Sequence, residues 1–161
     1  MQMKKCTKTK ITSVLFCLGV GGVSGLLTMD RLRNFTEIIQ PPLTPPMAVF
    51  PIVWSILLIL LGLGLGGVIC RKDQTDRREY DAAITAFAVQ LTFFFCWMIW
   101  FFGLGWYGFS VLWTLGLILS IIVMIRRFYA VCRYCGLLQL PYLLWSCFAL
   151  YLTIGVWWLN R

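Results

Sequence analysis

Histidine is missing from this 161-residue chain, and charge is scarce: 12% of residues are Asp, Glu, Lys or Arg, against 60% hydrophobic. The first absence removes the commonest general base, the imidazole metal ligand and the imidazole proton relay together. The second excludes an ordinary water-soluble domain, in which about a quarter of residues are charged and cover the surface. The few charges fall in short patches, so residues 11–29, 47–70, 82–102, 105–125 and 137–160 contain no Asp, Glu, Lys or Arg at all. Ion-coupled transporters and proton pumps work with an ionisable group inside the membrane, and its absence weighs against that class. Low-complexity segments and internal repeats are also lacking, and no length is left over for a separate soluble catalytic domain.

What remains is apolar and long enough to cross a bilayer. A helix of about 20 residues spans a hydrocarbon core about 30 Å thick. The sequence therefore predicts an all-α membrane protein, a five-transmembrane-helix bundle forming one domain over residues 1–161, with helices at about 11–29, 47–70, 82–102, 105–125 and 137–160. Gly103, Gly105 and Gly108 around Trp106 and Tyr107 supply the turn that divides the uncharged run 82–125 in two. Sidedness follows from the cations. Lys4, Lys5, Lys8, Lys10, Arg71, Lys72, Arg77, Arg78, Arg126, Arg127 and Arg133 fall on one side, and Arg31, Arg33 and Arg161 on the other, eleven against three. That bias predicts a multi-pass protein with a cytoplasmic N-terminus and an external C-terminus, and topology explains the net charge of +8 better than nucleic acid does. The basic start and the small residues Gly22 and Ser24 also resemble a secretory signal. The apolar stretch is long for one, however, and Gly21 and Gly25 suit a retained, closely packed helix.

Seven cysteines, Cys6, Cys17, Cys70, Cys96, Cys132, Cys135 and Cys147, fall mostly inside apolar runs or beside cationic loops. They read as unpaired thiols filling small apolar spaces. Cys132-x-x-Cys135 has metal-ligand spacing, but no histidine or second pair lies nearby in sequence, so neither a metal nor a redox role is assigned to it. Val123, Tyr129 and Arg133 fit a proposed sterol pattern too permissive to carry weight.

Aromatic side chains are abundant: eight Trp, six Tyr and twelve Phe. Trp106, Tyr107, Trp157 and Trp158 lie at span ends, where interfacial anchors are ordinary. Trp54, Trp97, Trp100, Trp113 and Trp145 lie inside spans, where an indole N–H needs a partner or a ligand. Helical spacing puts Gln90, Phe94, Trp97 and Phe101 on one face of the third helix and Tyr142, Trp145, Ala149 and Leu152 on one face of the fifth. Facing inward, these stripes would form a pocket for a large, flat, mostly apolar molecule, oriented by Gln90 and the indoles. Pro41, Pro42, Pro45 and Pro46 stiffen the first loop, which can then act as a lid.

The run Pro41-Pro42-Leu43-Thr44-Pro45-Pro46 followed by Phe50-Pro51-Ile52-Val53-Trp54-Ser55 resembles the proline loop and second helix of the tryptophan-rich sensory protein and translocator protein family, TspO/MBR, also called the peripheral benzodiazepine receptor family. In order, Gln90-Leu91 with Trp97 and Phe101-Phe102, then Leu112-Trp113, then Pro141-Tyr142-Leu143-x-Trp145-x-x-Phe148-Ala149-x-x-Leu152 and Leu159-Asn160 match its later helices. The resemblance runs from about residue 19 to the end. Departures accompany it: Asn34-Phe35, Gln40 and Leu43 replace Trp-Tyr, Lys and Trp of the first loop, and Leu58, Phe94 and Thr153 replace a Tyr and two Asn, making the pocket less polar.

The resemblance implies a homodimeric receptor or sensor that binds porphyrins, protoporphyrin-like tetrapyrroles, and other flat hydrophobic ligands beneath the first loop. Trp54 and Trp145 line that pocket in the family and are implicated in light-dependent porphyrin breakdown, so a porphyrin-degrading enzyme is the alternative and a porphyrin or lipid transporter the second alternative. The ligand-binding set is then Pro41, Pro45, Phe50, Trp54, Gln90, Phe94, Trp97, Tyr142, Trp145 and Ala149, with Trp54 and Trp145 catalytic only if pigment is degraded. No metal or resident cofactor is expected; the tetrapyrrole enters as ligand, and membrane lipid and a second copy are the partners. Counted along their helices, Trp54 and Trp145 lie roughly 10 Å deep from opposite faces at about 1.5 Å per residue. On that count only an elongated or macrocyclic ligand touches both. Small residues four apart, Ala82 with Ala86 and Gly62 with Gly66, are candidate dimer contacts, the alanines preferred.

Overall fold

Charge ends a membrane crossing without ending a helix, because Lys and Arg are good helix formers. In the computed structural model, which describes residues 2–32 and 38–161, the helices accordingly run past the uncharged stretches. They are α1 (Gln2–Leu32), α2 (Val49–Ile69), α3 (Arg77–Met98), α4 (Tyr107–Val131), the short α5 (Arg133–Leu137) and α6 (Leu140–Leu159). Arg33, Asn34 and Phe35 lie outside the described residues. Among those described there is no strand, and five helical segments are long and apolar enough to span a membrane, α5 and α6 together making the fifth.

Local chemistry sets the boundaries. Asp76 caps α3, its carboxylate accepting from the Arg78 N–H at 3.0 Å. Pro51 and Pro141 sit in the first turns of α2 and α6, where a missing N–H breaks no helical bond. The α3–α4 turn forms where the glycines predict it. A π-helical turn, Ile99–Gly103, ends α3, and Gly105 adopts a φ of 67° that favours glycine. Gln139 bridges the α5–α6 break, its amide donating to Leu60 O on α2 at 3.1 Å and to Cys135 O at 3.2 Å.

The centre of the bundle is α2, with 56% of its span buried against 22–33% for the others. It touches each of the other helices. Glycines explain how α1 approaches it: a Cβ on Gly62 would lie within 3 Å of the Val14 and Ser13 backbone, and one on Gly66 would lie 2.6 Å from Lys10 Cα. These glycines are therefore consumed by contacts within one chain. That corrects their reading as dimer contacts; of the favoured alanines, Ala86 is buried and Ala82 half-buried. Outward, Leu15, Leu26, Leu112, Leu119 and Leu144 are exposed, a surface suited to acyl chains. Buried Thr28, Thr114 and Thr153 turn their hydroxyls onto the carbonyl four residues back, which satisfies them without a neighbouring helix.

The cysteines do not all remain single. Cys6 pairs with Cys70 and Cys132 with Cys135, at Cα separations of 5.5 and 5.1 Å, whereas Cys17, Cys96 and Cys147 are unpaired. The reading of seven unpaired thiols is thus corrected for four of them. Cys6 and Cys70 are 64 residues apart, and only the antiparallel course of α1 beside α2 brings them together.

Candidate functional site

Periodicity placed two aromatic stripes, and both point inward. Gln90, Phe94, Trp97 and Phe101 are all buried, as are Tyr142, Ala149 and Leu152, with Trp145 half-buried beside them. They converge on Trp54 of α2. Its ring centroid lies 5.1 Å from Phe94, 5.7 Å from Trp97, 6.1 Å from Tyr142 and 6.5 Å from Trp145. Depth counted along the helices put Trp54 and Trp145 far apart, but the structure has them in edge contact. Long side chains from opposite ends reach the same level. Behind them, the Gln90 amide donates to the Tyr142 hydroxyl.

Against this cluster lies an apolar cavity of about 440 Å³ between α1, α2 and the end of α3. That volume falls within the range of small-molecule sites, about 300–1,000 Å³. Of the predicted ligand-binding residues, Phe50, Trp54 and Phe94 line it. Trp97, Tyr142 and Trp145 stand one layer back, packed on Trp54, with Trp145 also 6.2 Å from Phe50. Gln90 and Ala149 are not brought to the wall. Nor are Pro41 and Pro45: Pro41 is buried against Gly155 of α6, where a Cβ would lie 2.5 Å from its ring, and accepts from the Thr44 hydroxyl at 2.7 Å. The proline segment is strapped to α6. Tyr151 donates to Pro42 O at 2.8 Å, and Asn160 exchanges two bonds with the Ile39 backbone.

The opposite wall belongs to α1. Gly21, Gly22 and Gly25 line the cavity, and among the described residues nothing lies within 4 Å of where a Cβ on Gly22 or Gly25 would sit. Of Gly21 and Gly25, whose spacing suits close packing, only Gly21 makes a contact, against Leu58. The sequence signal for a cavity wall was present, three glycines within one and a half turns, but it carries two meanings that only the opposing helix separates. Leu58 and Phe94, two of the apolar replacements, both face the cavity and explain its apolar lining, while Thr153 is buried and bonded to its own helix. Polar capacity lies in the layer behind: Gln90 Oε1, Trp97 Nε1 and Trp145 Nε1 are buried without a hydrogen-bond partner among the described residues. Each such atom costs about 1–3 kcal/mol, so a ligand whose polar edge reached past Trp54 would gain by meeting them. Of the span-end aromatics, Trp106 and Trp158 are exposed, with the Arg161 guanidinium 3.5 Å over the Trp158 ring, whereas Tyr107 packs on Phe101.

This arrangement has relatives. The chain is 30% identical to the tryptophan-rich protein TspO of Chlorobaculum tepidum over 98% of its own length and 99% of that protein's. It is 31% identical to the protein CrtK of Rhodobacter capsulatus over 75% of this chain and 74% of that one. A further tryptophan-rich protein TspO, from Archaeoglobus fulgidus, is 28% identical over 93% and 95% of the two chains. With residues 13–159 matching the TspO/MBR family model and five membrane-spanning helices around a tryptophan-centred core, this integral membrane protein belongs to the TspO/MBR family.

Proposed function

We propose that this protein is a membrane sensor that binds a tetrapyrrole of the protoporphyrin type, or a similarly flat and apolar ligand, in the cavity bounded by Trp54, Phe94 and the α1 glycines. The observation that carries the proposal is the apolar cavity of about 440 Å³ walled by Trp54 inside a membrane-spanning bundle. The family resemblance supplies the ligand class. The test is protoporphyrin titration of the protein in lipid nanodiscs, read by quenching of tryptophan fluorescence. Saturable quenching is expected. Trp145→Ala, which removes the ring supporting Trp54 and Phe50, should weaken binding by about 1–3 kcal/mol, and Trp158→Ala should leave it unchanged. Equal losses at the two positions would point to general destabilisation instead.

A second reading, light-dependent breakdown of the bound pigment, draws on the contact of Trp54 with Trp97 and Trp145. An indole that gives an electron to an excited pigment has two further indoles beside it to refill the hole. Orientation and assembly complete the proposal: the cation-rich end faces the cytoplasm, and the protein is a homodimer. A reporter active only in the cytoplasm should work when inserted near Gln74 and fail after Arg161. Cross-linking in native membranes should trap pairs.

A further inference from the structure

At the other end of α2 from Trp54, a second cleft of about 580 Å³ is lined by Lys10, Gly67, Arg71, Tyr134 and the cysteine pair Cys132 and Cys135. Three features of this cleft belong together. First, the backbone N–H of Cys135 donates to Cys132 Sγ at 3.3 Å, a bond that favours a thiolate on Cys132 once the pair is open. Second, Gly67 makes room for the other sulfur: a Cβ there would lie 2.5 Å from Cys135 Sγ. Third, Arg71 is held at the same point, donating to Gly67 O at 3.1 Å, with its Nη1 4.0 Å from that Cβ position. A guanidinium therefore shares the cleft with Cys135, and its charge favours departure of that sulfur as thiolate.

We propose that Cys132 and Cys135 form a thiol–disulfide exchange site whose substrate is a low-molecular-weight thiol bearing carboxylates. Lys10 and Arg71 give the cleft a positive lining that suits carboxylates. Both sulfurs belong to residues only 6% exposed, which a small extended thiol reaches inside the cleft and a broad protein surface does not. A metal is the other use for such a pair, but among the described residues no three Cys, Asp or Glu stand close enough to hold one.

The reaction balances without a further cofactor. A substrate thiolate attacks the Cys132 sulfur; the new S–S bond forms as the Cys132–Cys135 bond breaks, and Cys135 leaves as thiolate and takes a proton from water. A second substrate thiolate attacks the substrate sulfur of the mixed disulfide and releases Cys132, which is protonated in turn. Two thiols become one small disulfide, and the protein pair gains two electrons and two protons. In reverse, reduced Cys132 attacks the small disulfide and Cys135 closes the pair.

The test uses the full chain in nanodiscs, reduced and then exposed to oxidised glutathione, with peptide mapping by mass. Wild type should close Cys132–Cys135 and retain no adduct, whereas Cys135→Ser should accumulate glutathione on Cys132. Lys10→Gln should slow closure by oxidised glutathione several-fold while leaving closure by neutral hydroxyethyl disulfide unchanged, and Arg71→Gln should slow closure by both. Adduct spread equally over Cys17, Cys96 and Cys147 in Cys135→Ser would overturn the proposal, as would equal slowing with the charged and neutral disulfides in Lys10→Gln. So would a disulfide that only a dithiol protein reduces while reduced glutathione is inert. None of these readouts depends on tetrapyrrole binding.

Discussion

The seam between α1 and α2 has two halves built on the same residue type with opposite results. Toward the cation-rich end, Gly62 and Gly66 let the α1 backbone touch α2, and Cys6–Cys70 ties the helices beyond them. Toward the proline loop, Gly22 and Gly25 meet none of the described residues, and they line the cavity. Glycine on α2 brings two helices together; glycine on α1, facing the cavity, keeps a hole open. The tight half therefore anchors α1, and the open half lets the same helix serve as one wall of a binding site.

The largest effect should come from closing the distinction at the tight half. Gly62→Ala drives a methyl into the Val14 backbone, which cannot rotate away, and should cost about 2–3 kcal/mol in unfolding measured in detergent micelles. An unchanged transition would mean the seam is looser than the contacts require. At the open half, Gly25→Phe should leave that transition intact yet fill the cavity, lowering protoporphyrin affinity by about tenfold or more, about 1.4 kcal/mol. Unaltered affinity would put the ligand elsewhere. Trp54→Phe keeps most of the apolar wall and should cost less than about 1.5 kcal/mol of binding. If light-dependent pigment loss nevertheless disappears in that variant, the photochemical reading replaces simple sensing. Gly25→Ala adds no clash and lowers backbone freedom, so it should stabilise α1 by about 0.5–1 kcal/mol while Gly62→Ala does the reverse.

The contrast also sorts what the sequence made legible. Periodicity along a single helix found the inward faces of Gln90, Phe94, Trp97 and Phe101, and of Tyr142, Ala149 and Leu152, because burial of a stripe is decided by that helix alone. Charge-free runs located the five crossings for the same reason, though not the helix ends, which continue through Lys and Arg. Features that depend on a second helix were hidden. Whether Gly25 is a contact or a void depends on which side chains the facing helices present there, Cys6 finds Cys70 only after antiparallel packing, and Trp54 meets Trp145 because two side chains reach to one depth. Gln139, buried at the α5–α6 break, carries no pattern of its own; its value comes from the Leu60 and Cys135 carbonyls it joins.

The strap between Asn160 and Ile39 has a consequence for how this loop can change over generations. Asn160 accepts from the Ile39 N–H at 3.0 Å and donates to its carbonyl at 2.8 Å, while the same amide nitrogen donates to Val156 O at 2.8 Å. The amide side chain thus grips main chain at both ends, and the isoleucine side chain, 61% exposed, takes no part. Position 39 is free to drift through any residue that retains its N–H, so this segment can change the surface it presents without losing its mooring. Position 160 has no such latitude, because no other side chain offers a donor and an acceptor at that reach.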